Sequence, residues 1–219
     1  METEAQSMNS FSLFEHIESR DIPKVLTCLG AWEKSYAKGQ YLSFTGDRAQ
    51  AAGLILEGCI HMTKEDLWGN TSIFAVLSPG DLFGESFICS HSFAATVSFY
   101  AAADSRVLLL PLKRLLRSCA SSCEFHHRLI ENLMAIMAEK NVQFIEKMEI
   151  ISKKTIRDKV LAYLALLAQK SGTSRISSPL SRQELADYLC VDRSALSREL
   201  SAMKKDGLID FSRSDYTVF

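Results

Sequence analysis

The 219-residue chain lacks the marks of a membrane, secreted or disulfide-built protein. No apolar run approaches the roughly 18 residues that a membrane-spanning helix requires. Met1 to Asn9 has neither the basic start nor the apolar stretch of a signal peptide, so a cytoplasmic protein without membrane contact is expected. Six cysteines (Cys28, Cys59, Cys89, Cys119, Cys123 and Cys190) do not make a disulfide framework in a chain of this length, and a reducing compartment would keep them as thiols. A nucleophile–base–orienter set and a phosphate-binding loop are both missing, which leaves an enzyme without support. Net charge is nearly absent too, at −1, but the total conceals a split. Residues 152–219 carry 12 Lys and Arg against 8 Asp and Glu, leaving 13 against 18 in residues 1–151. A mildly basic end on an acidic body suits a DNA-binding head on a sensing module. The chain is long enough for one large or two small folded domains.

What is present is most informative at the C-terminal end. Ser181 and Glu184 form an S-x-x-E capping box, in which hydroxyl and carboxylate satisfy free N–H groups at a helix start. After a turn at Cys190-Val191, Asp192 is a second N-cap, and Leu196, Leu200 and Met203 recur at helical spacing to make one buried face. The opposite face carries Arg193, Ser194, Ser197, Arg198 and Ser201. These groups are short or cationic enough to meet base edges and phosphates when a helix lies in the major groove. Small Ala186 lets the two helices cross closely. Basic Lys204 and Lys205 followed by Gly207 close the second helix, and alternation on either side of Ser212 to Asp215 predicts a small hairpin. Helix-turn-helix plus hairpin is a winged helix.

The first half is punctuated by Gly39, Gly46, Gly53, Gly58, Gly69, Gly80 and Gly84 between short alternating segments, the rhythm of β-hairpins. Leu54–Leu56, Cys59–Met62, Ser72–Leu77, Thr96–Tyr100 and Arg106–Leu110 read as strands. Such close spacing implies a compact barrel or roll. From Ser122 to about Ile151 the pattern becomes one long helix of about 28 residues, some 40 Å at 1.5 Å per residue. Its stripe of Leu129, Leu133, Ile136, Met137, Phe144 and Met148 exceeds what a small roll can cover, which predicts packing on the same helix of a second subunit.

The order β-roll, long helix and winged helix-turn-helix resembles the Crp/Fnr family of bacterial transcription regulators. Ala37-Lys-Gly-Gln-Tyr-Leu42 with Gly46-Asp47, Leu54-Ile-Leu-Glu-Gly58, and Ser78-Pro-Gly-Asp-Leu-Phe-Gly-Glu85 are similar to the turns of that family's cyclic-nucleotide-binding-type roll. The resemblance covers nearly the whole chain. It implies an α+β fold: a β-roll (a double-stranded β-helix, jelly-roll-like) over residues 1–118, a dimerisation helix and hinge over 119–151, and a winged helix-turn-helix over 152–219. It further implies a homodimer on an inverted-repeat, double-stranded DNA operator, switched by a small signal acting on the roll, with RNA polymerase as a partner if the protein is an activator.

Departures from the family pattern narrow the signal. Cyclic-AMP-binding members pair the Gly-Glu turn with Arg-Ser or Arg-Thr about eleven residues later. Here Gly84 and Glu85 remain, but the paired positions are Ala95 and Thr96. Without the arginine a cyclic phosphodiester would forfeit a charge-assisted contact of roughly 1.5–3 kcal/mol, so cyclic AMP is disfavoured. The effector pocket implied by the resemblance comprises Gly84, Glu85, Ala95, Thr96 and Val142. Glu85 has an alternative role as a cap or pair within the roll. An iron–sulfur cluster of the Fnr type is disfavoured because only Cys28 lies near the N-terminal end, and His16, His61, His91, His126 and His127 sit in no haem-attachment motif. One further cluster is an alternative: Cys119, Cys123 and His126 would share a helical face and supply ligands for a metal or a redox-active thiol pair. Against it, Ser122 reads as an N-cap, which places Cys119 before the helix.

At the DNA end, Arg182, Arg193 and Arg198 match family positions that reach phosphate or guanine, with Ser181 capping beside them. Ser194 stands where the Arg-Glu…Arg members carry glutamate, so the half-site read should differ. Ser197-Arg198 resembles the pair of Fnr-like readers. Cys190 replaces the turn glycine of the family, where a left-handed conformation costs a non-glycine residue roughly 1–2 kcal/mol.

Overall fold

The computed structural model describes residues 8–89, 94–115 and 124–219. The chain divides into two compact units, one from residues 1–64 and 74–140, the other from residues 65–73 and 141–219.

The first unit opens with a 3-10 turn, Ser12–Phe14, and a helix α1 (Ile22–Leu29) that Gly30 ends in the left-handed conformation. Strands β1 (Trp32–Tyr36), β2 (Tyr41–Ser43), β3 (Ala52–Glu57), β4 (Ile60–Glu65), β5 (Thr71–Leu77), β6 (Leu82–Phe83), β7 (Ser98–Ala101) and β8 (Ser105–Leu110) follow. Two short helices, α2 (Glu85–Cys89) and α3 (Leu112–Leu115), punctuate them. The strands form two four-stranded sheets, ordered β1-β8-β3-β6 and β2-β7-β4-β5. Apart from the β4–β5 hairpin, neighbours are not consecutive in sequence, which makes this a roll instead of a meander, with antiparallel pairing in β1–β8, β3–β8, β3–β6, β2–β7 and β4–β7.

Alternation along β3 explains why Leu54-Ile-Leu56 is apolar at every position. Ile55 joins a core with Ile60, Phe83, Val97, Phe99 and Val107, whereas Leu54 and Leu56 join a second core with Phe14, Ile22, Leu108 and Leu110. Both faces of the strand are covered, so no polar side chain is required. The turn into β4 depends on Gly58, with φ +93°, where a Cβ would stand 2.4 Å from the Asp104 carbonyl oxygen and 2.3 Å from Ser105 Oγ.

The long helix α4 spans Glu124–Ile151; its expected cap, Ser122, lies outside the described residues. The stripe expected to be free for a partner is corrected here. Leu129, Leu133 and Ile136 are 1%, 3% and 7% exposed and pack into the core of Leu13, Phe14, Leu82 and Leu112, with Met137 half-buried against it. Asn132 secures this face by donating to the Leu13 and Glu15 carbonyls at 3.0 and 2.8 Å. Phe144 and Met148 are exposed, and so are Met134, Val142 and Ile145. Periodicity reveals that a helix face is buried, but not what buries it.

The second unit holds the β4–β5 hairpin tip, the end of α4, and α5 (Ile156–Ser171), β9 (Arg175–Ser177), α6 (Arg182–Leu189), α7 (Arg193–Lys205), β10 (Ile209–Ser212) and β11 (Asp215–Val218). At the tip, the Asp66 carboxylate accepts the Trp68 and Asn70 N–H groups at 2.8 and 2.9 Å, holding the turn. Thr155 caps α5 by accepting from the Asp158 N–H. The expected hairpin is β10–β11, and β9 adds a third strand beside β11. Among the described residues no helix is long and apolar enough to cross a membrane.

Candidate nucleic-acid interface

Local chemistry builds the α6–α7 pair. The Ser181 N–H donates to Glu184 Oε2 at 2.8 Å while Ser181 Oγ accepts the Glu184 N–H, completing the capping box. Cys190 ends α6 at φ 53°, ψ 55°, and the Val191 N–H returns to the Ala186 carbonyl at 3.0 Å. The left-handed strain at Cys190 is tolerated because the turn's hydrogen bonds need that conformation. Asp192 then caps α7, its carboxylate accepting from the Ala195 N–H at 2.8 Å. At the far end, Gly207 (φ 74°) donates to the Lys204 carbonyl and Leu208 to that of Met203, a Schellman closure.

Leu196, Leu200 and Met203 are fully buried on one side of α7. On the other side Arg193, Ser194, Arg198 and Ser201 are exposed and Ser197 is half-buried. Among the described residues, neither Arg193 nor Arg198 has an intramolecular hydrogen bond or ion pair. Both guanidiniums therefore keep their full set of donors for a phosphate or a guanine edge.

Arg182 differs from the other expected contact residues. It donates to the Tyr216 hydroxyl at 2.9 Å and the Arg213 carbonyl at 3.3 Å, and its guanidinium lies 4.9 Å from the Phe211 ring centroid. The geometry makes it a tie between α6 and the wing, not an open cation. Its position at the start of α6 was legible, but its partners, about 30 residues downstream, were not.

Three further cations hold the unit and left no mark in the sequence pattern. Arg157 on α5 pairs with Glu199 at 2.6 Å and Asp206 at 2.8 Å. Lys159 donates to the Leu189 carbonyl at 3.1 Å, satisfying the end of α6. Lys147 on α4 is buried, donates to the Tyr188 and Ile73 carbonyls, and lies over the Tyr188 ring. Burial pulls its pKa down to about 7, opposed by Cys190 and assisted by Lys159. Arg213 adds an exposed cation at the turn of the wing, with φ 54°.

The residues expected to form an effector pocket differ in burial and in partners. Gly84 adopts φ 76°, as its turn requires. Glu85 is 3% exposed, and its Oε1 accepts from Lys140 Nζ at 2.8 Å and from the Ser86 hydroxyl at 3.3 Å. Lys140 also donates to the Leu82 carbonyl. Ala95 is buried, its N–H on the Asp47 carbonyl and its carbonyl on the Gly46 N–H, whereas Thr96 is exposed. Val142 is exposed on α4 and belongs to the second unit. Of the alternative cluster, Cys119 and Cys123 lie outside the described residues, and His126 Nε2 is 3.8 Å from Cys28 Sγ. Among the described residues no group of three or more His, Cys, Asp or Glu is placed to hold a metal.

Comparison with known proteins places two family models on the chain: a cyclic nucleotide-binding domain over residues 33–122 and a Crp-like helix-turn-helix domain over residues 158–218. The chain is 24% identical over 185 residues to the transcriptional activator protein FnrL of Cereibacter sphaeroides, covering 80% of this chain and 71% of that protein. It is 26% identical over 174 residues to the cyclic AMP receptor protein of Thermus thermophilus, covering 80% and 77%. Among solved structures, the c-di-GMP-responsive regulator CLP of Xanthomonas campestris superposes with a TM-score of 0.76 at 16% identity, over 92% of this chain and 99% of that one. At that identity the likeness concerns the fold alone.

Proposed function

Because the chain belongs to the Crp/Fnr family of transcription regulators, we propose that it works as a cytoplasmic homodimer on an inverted-repeat DNA operator, set by a signal other than cyclic AMP. Its relatives are transcription regulators and not enzymes, and regulators of this family bind DNA and typically act as dimers. The observation that carries the operator reading is α7. Its apolar face is buried while Arg193 and Arg198 stand exposed and uncommitted on the other side, with Ser194, Ser197 and Ser201 between them. Serine at position 194 is too short to reach as glutamate would, so the preferred half-site should differ from that of Arg-Glu…Arg readers.

Support for the second subunit comes from the exposed face of α4. Met134, Ile145 and Met148 share one side of α4, flanked by Val142 on one edge and Phe144 on the other, an exposed apolar strip that a parallel copy of the same helix would cover. Support for a signal other than cyclic AMP comes from Ala95, which offers a buried phosphate no cation, and from Glu85, whose carboxylate is already paired. Iron–sulfur and haem are not proposed as cofactors, nor is a metal or thiol-redox role for Cys119, Cys123 and His126. RNA polymerase is the further partner if the protein activates.

Selection of bound duplexes from a random pool tests the reading. The expected product is a pair of inverted half-sites whose centres lie about one helical turn, or a multiple of it, apart. Recovery of no enriched sequence would overturn it. Calorimetry with cyclic AMP should give no saturable heat, and micromolar binding would overturn the assignment of the signal.

A further inference from the structure

We propose that Lys140 is a built-in counter-ion for Glu85, so that the roll holds α4 through the chain's own ion pair and not through a bound ligand. The inference rests on the protein being a DNA-binding regulator, and it concerns how that regulator is set.

Glu85 begins α2 at the turn after β6 and is almost completely removed from solvent. A carboxylate at that depth is tolerated only when a cation or several donors satisfy it. Lys140 supplies the cation at 2.8 Å from Oε1, and the same ammonium donates to the carbonyl of Leu82 in β6. One side chain thus clamps β6, α2 and α4. Asp81 also feels this ammonium, which counters part of the rise that burial imposes on its carboxyl. A single cation therefore bears on two carboxylates, so a ligand phosphate arriving at Glu85 would find the ammonium beside it already committed. The second oxygen, Glu85 Oε2, is buried and has no hydrogen-bond partner among the described residues. The anchor is thus occupied from within by a cation, and it is unsuited to an anion.

The position of Lys140 on its helix gives the pair a consequence for DNA binding. The exposed apolar run of Val142, Phe144, Ile145 and Met148 begins two residues later on α4. Fixing residue 140 fixes the rotation of the helix at that point, and with it the face offered to a second subunit. On this proposal the protein binds its operator with no ligand added.

The test uses the full-length protein and the inverted-repeat duplex recovered by selection, without added small molecules. Wild type should bind. Lys140→Met and Glu85→Gln should each weaken operator binding by about 5- to 150-fold, the range of ordinary coupling free energies. The double variant Glu85→Gln/Lys140→Met should be no weaker than the poorer single variant, because both remove one interaction. Lys140→Arg, which keeps the cation, should retain most of the affinity. Lys140→Met alone leaves a buried carboxylate unpaired and can unfold the roll; the double variant carries no uncompensated charge, so its thermal unfolding separates loss of fold from loss of coupling. A folded double variant with wild-type affinity, losses that simply add, or a wild type that binds only after a ligand is supplied would each overturn the inference. A wild type that binds no DNA sequence specifically under any condition would remove the regulator reading itself, and the inference with it.

Discussion

Arg157 Nε lies 2.6 Å from Glu199 Oε1, so α5 grips the one carboxylate that occurs within the recognition helix α7. The same guanidinium reaches Asp206 at the helix end. Neutralising Glu199 matters more for function than for folding, because a free carboxylate on a helix apposed to DNA repels phosphate. Arg157→Met should weaken operator binding with little change in thermal stability, and adding Glu199→Gln to that variant should recover part of the loss. Operator titrations on the two single variants and the double check this; equal affinity in all of them would remove Arg157 from the interface.

Arg198→Ala should cost specific operator binding about 1–3 kcal/mol if the guanidinium makes a bidentate guanine contact. A phosphate contact would instead weaken all sequences alike and reduce the salt slope by about 1. Titration against operator and scrambled duplexes at several salt concentrations separates the two roles. A folded variant with unchanged affinity and base preference would rule out the proposed docking of α7.

The two faces of α4 should respond oppositely to a buried charge. Ile136 is 7% exposed in its own core, so Ile136→Glu should unfold the roll. Ile145 is 68% exposed, so Ile145→Glu should yield folded monomers if α4 is the dimer seam. Sedimentation together with thermal melts distinguishes these outcomes, and an Ile145→Glu protein that stays dimeric would place the subunit contact elsewhere.

Lys147 gives the second unit a pH signature of defined sign. Its pKa, near 7 in the folded protein, lies below the ordinary value of 10.5, so between these limits the unfolded chain binds a proton that the folded chain does not. Stability from this group therefore rises as pH increases from about 7 towards 10.5, and is flat below 7, with a slope of at most about 1.4 kcal/mol per pH unit. Denaturant melts between pH 7 and 9 should show that slope in wild type and not in Lys147→Met. Parallel curves would mean that the amine does not titrate in this window.

Cys190 carries a left-handed backbone without being glycine. Cys190→Gly should stabilise the protein by up to about 1 kcal/mol, the relief of strain exceeding the added freedom of the unfolded chain. A thermal melt lower than that of wild type would show that the cysteine side chain contributes more than its conformation costs.

Features closed by short-range bonds are legible in the sequence. The Ser181–Glu184 box, the Asp192 cap and the Gly207 closure each depend on residues within five positions of one another, so residue type and spacing specify them. Strand β9 escaped notice because three residues make a strand only when β11, some 40 residues later, pairs with them. Lysines and arginines on a helix look like a solvated face in sequence. Lys140 and Arg157 instead make ion pairs within the fold, with partners 55 and 42 residues away.

For this protein the order of strands, long helix and winged helix-turn-helix, and the residues on the polar face of α7, were determined by sequence alone, since periodicity and capping are local properties of a chain. Tertiary structure alone decided which half of the α4 stripe is core and which is surface, that Arg182 serves the wing, and that Glu85 is satisfied from within. Each of those outcomes depends on what packs against a side chain from a distant segment, and no repeat or spacing encodes the identity of that neighbour.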